Sequence, residues 1–252
     1  TTSRACVVYT SDIGRRACRM EGTATPAAPR AGPRRAPAAP LALAARVQAR
    51  RYAMALAGCR NQTYDLSDLA TIAGSQRGVW EELGSVVPWW SVLSAPEFDG
   101  TNRLTDDKIA KFYATGEEAV AKALARTAEI ARTHGARAVW SGGGIGSSAI
   151  DFGCGVGRLA RALAGRFASV YCVDHSTAHL GLAARSIQGR EASRLHYVAT
   201  SQAGAEIINE HADFVLSLLS LQHMVPQLQV AALEHLCDAL RVGGLGLSLI
   251  HI

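Results

Sequence analysis

The chain has 252 residues, 48% of them hydrophobic, and a formal net charge of +5. That is enough apolar material for one sizeable core, which excludes a wholly disordered chain. No stretch reaches the roughly 18 consecutive apolar residues of a membrane-spanning helix, so no membrane association is expected.

The positive charge is unevenly placed. Residues 1–60 hold eleven Arg against Asp12 and Glu21, a net of +9, and the remainder of the chain sums to −4. A basic face for nucleic acid is therefore not predicted for the folded part, and no nucleic-acid partner is expected. The six cysteines form no Cys-x-x-Cys pair and have no ligand spacing with histidine. A reduced, cytoplasmic protein without a metal site is the expectation.

In chain order, residues 1–63 read as a low-complexity, disordered extension. Thr23 to Ala45 is almost entirely Ala, Pro, Arg and Gly, a composition that cannot repay its ordering entropy. Its Arg-rich, acid-poor character also fits an organelle-targeting segment, or an untranslated region read in frame. Order is expected from about Tyr64, with residues 64–140 a helical segment or lid. Val79 to Phe98 places three of the four tryptophans together beside Pro88. Clustered rings of this kind must pack on something, and Trp89, Trp90 and Tyr113 are candidates for a lid as well as for plain core packing. Thr105-Asp106-Asp107 opens a short helix. Thr115-Gly116-Glu117-Glu118 has capping-box spacing and predicts a separate helix from about Gly116 to Thr133, with Val120, Leu124 and Ile130 on one stripe. The run Ser141 to Ser148 reads as a glycine-rich loop without the Gly-Lys-Ser/Thr of a phosphate loop.

From Ser148 short apolar runs alternate with helical stretches, the pattern of a parallel α/β sheet with helices on both faces. Strands are predicted at Ala149–Phe152, Ser169–Val173, Leu195–Ala199 and Phe214–Leu219, with a fifth from about Gly244. Helices are predicted at Arg158–Ala164, Thr177–Ser186 and Gln227–Arg241. Asp151-Phe152-Gly153-Cys154-Gly155-Val156-Gly157 then falls in the first strand-to-helix turn, where a doubly wound sheet brings its backbone nearest a ligand. Glycines there permit a sharp bend and leave room for a ligand against the backbone. A dinucleotide fingerprint would need glycine at 158, where this chain has Arg158. Asp174 ends the second strand, where a carboxylate can take two hydroxyl hydrogen bonds from an adenosine ribose. Ser176 reads as the cap of the next helix.

These residues resemble a known family. DFGCGVGRLARALAGRF, VYCVDHS, ADFVLSLLSLQHM and LRVGGLG look like the successive motifs of class I S-adenosylmethionine-dependent methyltransferases of the small, stand-alone bacterial kind, over residues 148–246. The resemblance implies a Rossmann-like sheet and S-adenosylmethionine as cofactor. It places Gly153, Cys154, Gly155 and Gly157 under the methionine and ribose and Asp174 on the ribose. His175 falls near the adenine edge, Ser217 and Leu218 beside the methyl group, and Asp151 where it orients the loop. Members often bind the adenine amine after the third strand, where this chain reads Ala199-Thr200-Ser201-Gln202 and Gln202 is the substitute.

The expected activity is methyl transfer to a small-molecule acceptor. The alternative is a non-catalytic binding module of the same fold, or an inactive fragment. Such transfer rests on alignment more than on acid/base groups, so a strong catalytic signature need not appear. His223, after the fourth strand, is the candidate base, and Cys154 reads as a small loop residue. The family's C-terminal helix and antiparallel hairpin are missing after the fifth strand. Leu247 to Ile252 matches the in-frame translation of a sequencing adapter, so the natural sequence is expected to end near Gly246 and residues 247–252 to be an adapter-derived tail.

Overall fold

The computed structural model describes residues 5–10, 64–98, 104–133, 147–200 and 212–250. The predicted strands form: β2 (Ser148–Phe152), β3 (Ser169–Asp174), β4 (Leu195–Ala199), β5 (Ala212–Leu218) and β6 (Leu240–Ile250). One further strand, β1 (Ala5–Thr10), lies in the stretch expected to be disordered. The sheet order is β1-β6-β5-β2-β3-β4, and every pairing is parallel.

β1 falls within residues 1–63, the rest of which lies outside the described residues. Cys6-Val7-Val8-Tyr9 is rich in β-branched and aromatic residues, and it pairs from Ala5↔Leu245 to Thr10↔Ile250 along an edge that would otherwise leave backbone groups of β6 unpaired. Leu247–Ile250 is accordingly the end of a strand held between β1 and β5.

Four helices were legible in outline, namely α3 (Asp106–Thr133), α4 (Arg158–Ala164), α5 (Thr177–Ser186) and α6 (Pro226–Ala239). Upstream lie α1 (Leu66–Val86) and the single turn α2 (Pro88–Val92). Asp65 caps α1 by accepting from the Asp68 amide at 2.8 Å. Pro88 at the first position of α2 is tolerated because that amide has no intrahelical acceptor.

α3 corrects the capping-box reading, because one helix runs through Thr115 and Gly116 without a break. The Thr115 hydroxyl donates back to Phe112 O at 2.6 Å instead of capping a new helix. Gly116 serves another purpose: a Cβ there would lie 2.0 Å from the carbonyl oxygen of Arg158. It is the point where α3 crosses the start of α4. Val120 and Leu124 are buried as expected, and the Ile130 side chain lies outside the description.

Strand alternation sorts the core into two layers. Ala149, Phe214 and Leu216 point to the face covered by α3 and α4, and Ile150, Phe152 and Val215 to the face covered by α6. Trp89 stacks edge-on against Phe112 and Tyr113 at 4.9 and 5.9 Å. The Tyr113 hydroxyl donates to Val156 O at 3.1 Å, and burial pushes its pKa up to about 12. Trp89 and Tyr113 are thus core residues, and Tyr113 braces the glycine turn.

Candidate functional site

β2 leads outward to β3 and β4, and the chain then returns to β5 on the other side of β2. The order reverses between β2 and β5, where a doubly wound sheet opens a crevice at the carboxyl ends of its strands. A cavity of about 470 Å³ lies there, within the usual range for a small-molecule site. It is floored by Phe152 to Gly155, Val173 to His175 and Leu218 to Ser220, and roofed by α1 and α2.

The glycine turn is held by the strand beside it. Gly153 N and Cys154 N donate to Val173 O at 2.8 and 3.1 Å. Gly155 N donates to Asp174 Oδ2 at 2.8 Å, and Ser176 N to Asp174 Oδ1 at 2.9 Å. Gly153 and Gly155 sit at φ 75° and 53°, a region a side chain disfavours. Protein side chains occupy the direction that a Cβ would take from each. A Cβ at 153 would meet Ser220 Oγ at 2.1 Å, and one at 155 would meet Val92 Cγ2 at 2.4 Å. The glycines therefore serve the turn and the packing of neighbouring protein side chains.

Of the residues singled out from sequence, Gly153, Cys154, Gly155, Asp174, His175, Leu218 and His223 line the cavity. Asp151, Gly157 and Ser217 stand behind its wall. Asp151 is completely buried, and neither carboxylate oxygen has a hydrogen-bond partner. Burial lifts its pKa to about 7, against the pull of Arg158. Ser217 is buried within the sheet, paired in register with Ser248. Cys154 is buried and its thiol is pushed well above the ordinary range by burial, which leaves it protonated and supports a packing role. Gln202 lies outside the described residues. Among the described residues no cluster of His, Cys, Asp and Glu suits a metal ion, and no helix is long and apolar enough to cross a membrane.

Sequence reasoning expected a helical segment or lid over residues 64–140 but named no residue of α1 as part of the site. Ala73, Gln76, Arg77, Trp80 and Leu83 of α1 all face the cavity. Their spacing of three and four is one face of a helix, a signal readable once the helix is placed. α1 is tied down at three points. Gln76 Nε2 donates to His223 O at 2.6 Å, and Arg77 donates to Thr200 O at 2.6 Å. Glu81 caps α5, accepting from the Thr177 hydroxyl at 2.7 Å, Thr177 N at 2.7 Å and Ala178 N at 3.0 Å, and these hydrogen bonds, the hydroxyl's foremost, lower its pKa.

Beneath α1, Gly84 lies against His179 and Ser176. The Ser91 hydroxyl donates to Pro88 O, so His179 Nε2, 2.8 Å away, carries the proton and donates to Ser91 Oγ. Nδ1 then accepts from the Ser176 hydroxyl at 2.8 Å. Burial lowers the pKa of His179, of His175 and of His223, favouring neutral rings.

The site fits an adenosine-bearing cofactor. Each Asp174 oxygen takes one backbone N–H and retains a lone pair for a hydroxyl. His175 lines the cavity, and its buried Nε2 has no hydrogen-bond partner. The fold and turn thus define a nucleoside-cofactor domain of the doubly wound class.

Comparison with known proteins carries this further. Residues 149–244 match the family model described as a methyltransferase domain. No curated protein matches the chain. Among solved structures, the phosphoethanolamine N-methyltransferase 1 of Haemonchus contortus aligns at 13% identity and TM-score 0.47, over 69% of this chain and 31% of that one. An S-adenosylmethionine-dependent methyltransferase of Leishmania major aligns at 17% identity and TM-score 0.46, over 76% of this chain and 66% of that one. The chain therefore spans less than two thirds of the length of each. The likeness to a methyltransferase domain thus covers residues 149–244, less than half of the chain.

Proposed function

We propose that this chain is a methyltransferase that passes the methyl group of S-adenosylmethionine to a small-molecule acceptor. The observation that carries this reading is the continuity of one roofed cavity, from Asp174 and the glycine turn past Leu218 to the histidine and tryptophans beyond. Cofactor and acceptor can then lie side by side, screened from bulk water by α1 and α2. Bound S-adenosylmethionine supplies an electrophilic methyl carbon.

The chain's own residues do the rest. Asp174 accepts the ribose hydroxyls, and His175 meets the polar edge of the nucleoside. Gly153, Cys154 and Gly155 present backbone to the methionine portion, while Asp151 and Gly157 shape the turn from behind. Leu218 flanks the transferred group, and Ser217 supports it from within the sheet. The neutral His223 ring stands ready to take a proton from the acceptor. Alignment and exclusion of water carry most of the rate in such a scheme.

Isothermal titration with S-adenosylmethionine tests the first half, and methylated product in a panel of acceptors tests the second. Binding without turnover across the panel would favour the non-catalytic binding module, and absence of binding would refute the methyltransferase reading and favour an inactive fragment.

A further inference from the structure

The far end of the cavity has a chemistry of its own. The cavity lining includes Trp80, Trp90, Leu219 and Met224, with His223 as a titratable group beside Trp80. Trp90 is 38% exposed and Leu219 36% exposed, large apolar side chains that face the cavity instead of the core. Leu219 is held at φ 63°, a left-handed conformation that a branched side chain resists and that concentrates at functional positions. Its amide is pinned to Leu249 O at 3.0 Å. The His223 ring stands edge-on to Trp80 at 5.0 Å, and its carbonyl is the one tied to Gln76. The charged side chains that line the same cavity are Arg77, which donates to Thr200 O, Arg158, and Asp174, which takes two backbone amides.

Resting on the methyltransferase reading above, we propose that this end is the acceptor subsite. It takes a neutral molecule with a planar apolar body and a hydroxyl group, the body against Trp80 and Trp90 and the hydroxyl donating to the His223 imidazole. Indole faces favour flat aromatic partners, and Leu219 and Met224 add apolar surface that a ligand would cover. A neutral imidazole accepts a hydrogen bond from a hydroxyl, and the exposed His223 ring has the Gln222 amide nitrogen 3.4 Å from its Nε2, a contact the hydroxyl would replace. The Trp80, Trp90, Leu219 and Met224 side chains offer an anionic acceptor no charge in return for its hydration.

The test is calorimetric binding of 2-naphthol, 2-methoxynaphthalene and 2-naphthyl phosphate, each with and without S-adenosylhomocysteine. Wild type should bind 2-naphthol at least fivefold more tightly than either analogue. Trp90→Ala and Leu219→Ala should each weaken 2-naphthol at least fivefold, with folding checked by circular dichroism and a cooperative melt. In His223→Phe the preference for naphthol over its methyl ether should vanish. Equal or tighter binding of the phosphate ester, or unchanged affinity in folded variants, would overturn the proposal, and the wild-type comparison decides even where a variant unfolds. Failure of S-adenosylhomocysteine to bind would count against the methyltransferase reading, while the naphthol titrations without it still judge the subsite.

Discussion

Replacing Asp174 by Ala removes more than a ligand contact. The carboxylate accepts from Gly155 N and Ser176 N at 2.8 and 2.9 Å, so it stitches the glycine turn to the start of α5 before any cofactor binds. Hydrogen bonds to a charged group contribute about 1.5–3 kcal/mol each, and Ser176 is buried where water cannot replace the acceptor. Allowing for partial rehydration of the Gly155 amide, Asp174→Ala should cost about 3 kcal/mol without ligand. That corresponds to a fall in melting temperature of roughly 6–12 °C for a domain of this size. Asp174→Asn keeps one acceptor oxygen and should lose about half as much. Affinity for S-adenosylhomocysteine should fall in addition by about 1.5–3 kcal/mol, roughly 10- to 150-fold. Scanning calorimetry of the free variants and titration calorimetry with S-adenosylhomocysteine separate the two effects. An unchanged melt in Asp174→Ala would refute the role in holding the turn, and an unchanged affinity would remove Asp174 from the cofactor site.

Three other perturbations probe the same frame. The buried Asp151 carboxyl titrates at about 7 against an ordinary value of 3.8, so between those values the native state keeps a proton that the unfolded chain has lost. Stability should therefore fall as pH rises from about 4 to about 7 and level off above. Asp151→Asn should gain on wild type across that window in urea titrations, and a pH-independent difference would contradict the assignment. Gly116→Ala should destabilise by about 2–3 kcal/mol, although alanine is the better helix former by about 1 kcal/mol, because its Cβ would meet the backbone carbonyl of Arg158. A more stable variant in thermal melts would show that α3 does not cross α4 there. Gly84→Ala puts a Cβ 2.6 Å from His179 Nδ1 and 2.8 Å from Ser176 Oγ. It should loosen α1 by about 1–3 kcal/mol, visible as faster hydrogen exchange in α1 with the sheet unaffected.

Much of the α/β core was legible because its signals are local. The alternation of apolar runs with helical stretches, the glycines at 153, 155 and 157 and the strand-ending Asp174 each act within a few residues, and strands β2 to β5 form within two residues of their predicted bounds. Capping at Ser176 was likewise local, its hydroxyl accepting from His179 N at 3.2 Å. What was not legible shares one cause. Thr115-Gly116 has a capping pattern, yet the contact that explains the glycine is with Arg158, 42 residues on in the chain. β1 owes its place to an unpaired edge of β6 more than 200 residues away, and no local rule reports which edges remain open.

The chain's order of residues by itself determined the doubly wound core, the turn at Asp151 to Gly157 and its partner Asp174, because backbone conformation and strand periodicity follow from neighbours in sequence. Only the tertiary structure decided what surrounds that turn. Ser220 and Val92 fill the space beside its glycines, Gln76, Arg77 and Glu81 lock the roof, and Trp80, Trp90 and Leu219 line the cavity. These are contacts between distant segments, set by how layers pack, and no spacing along the chain encodes them.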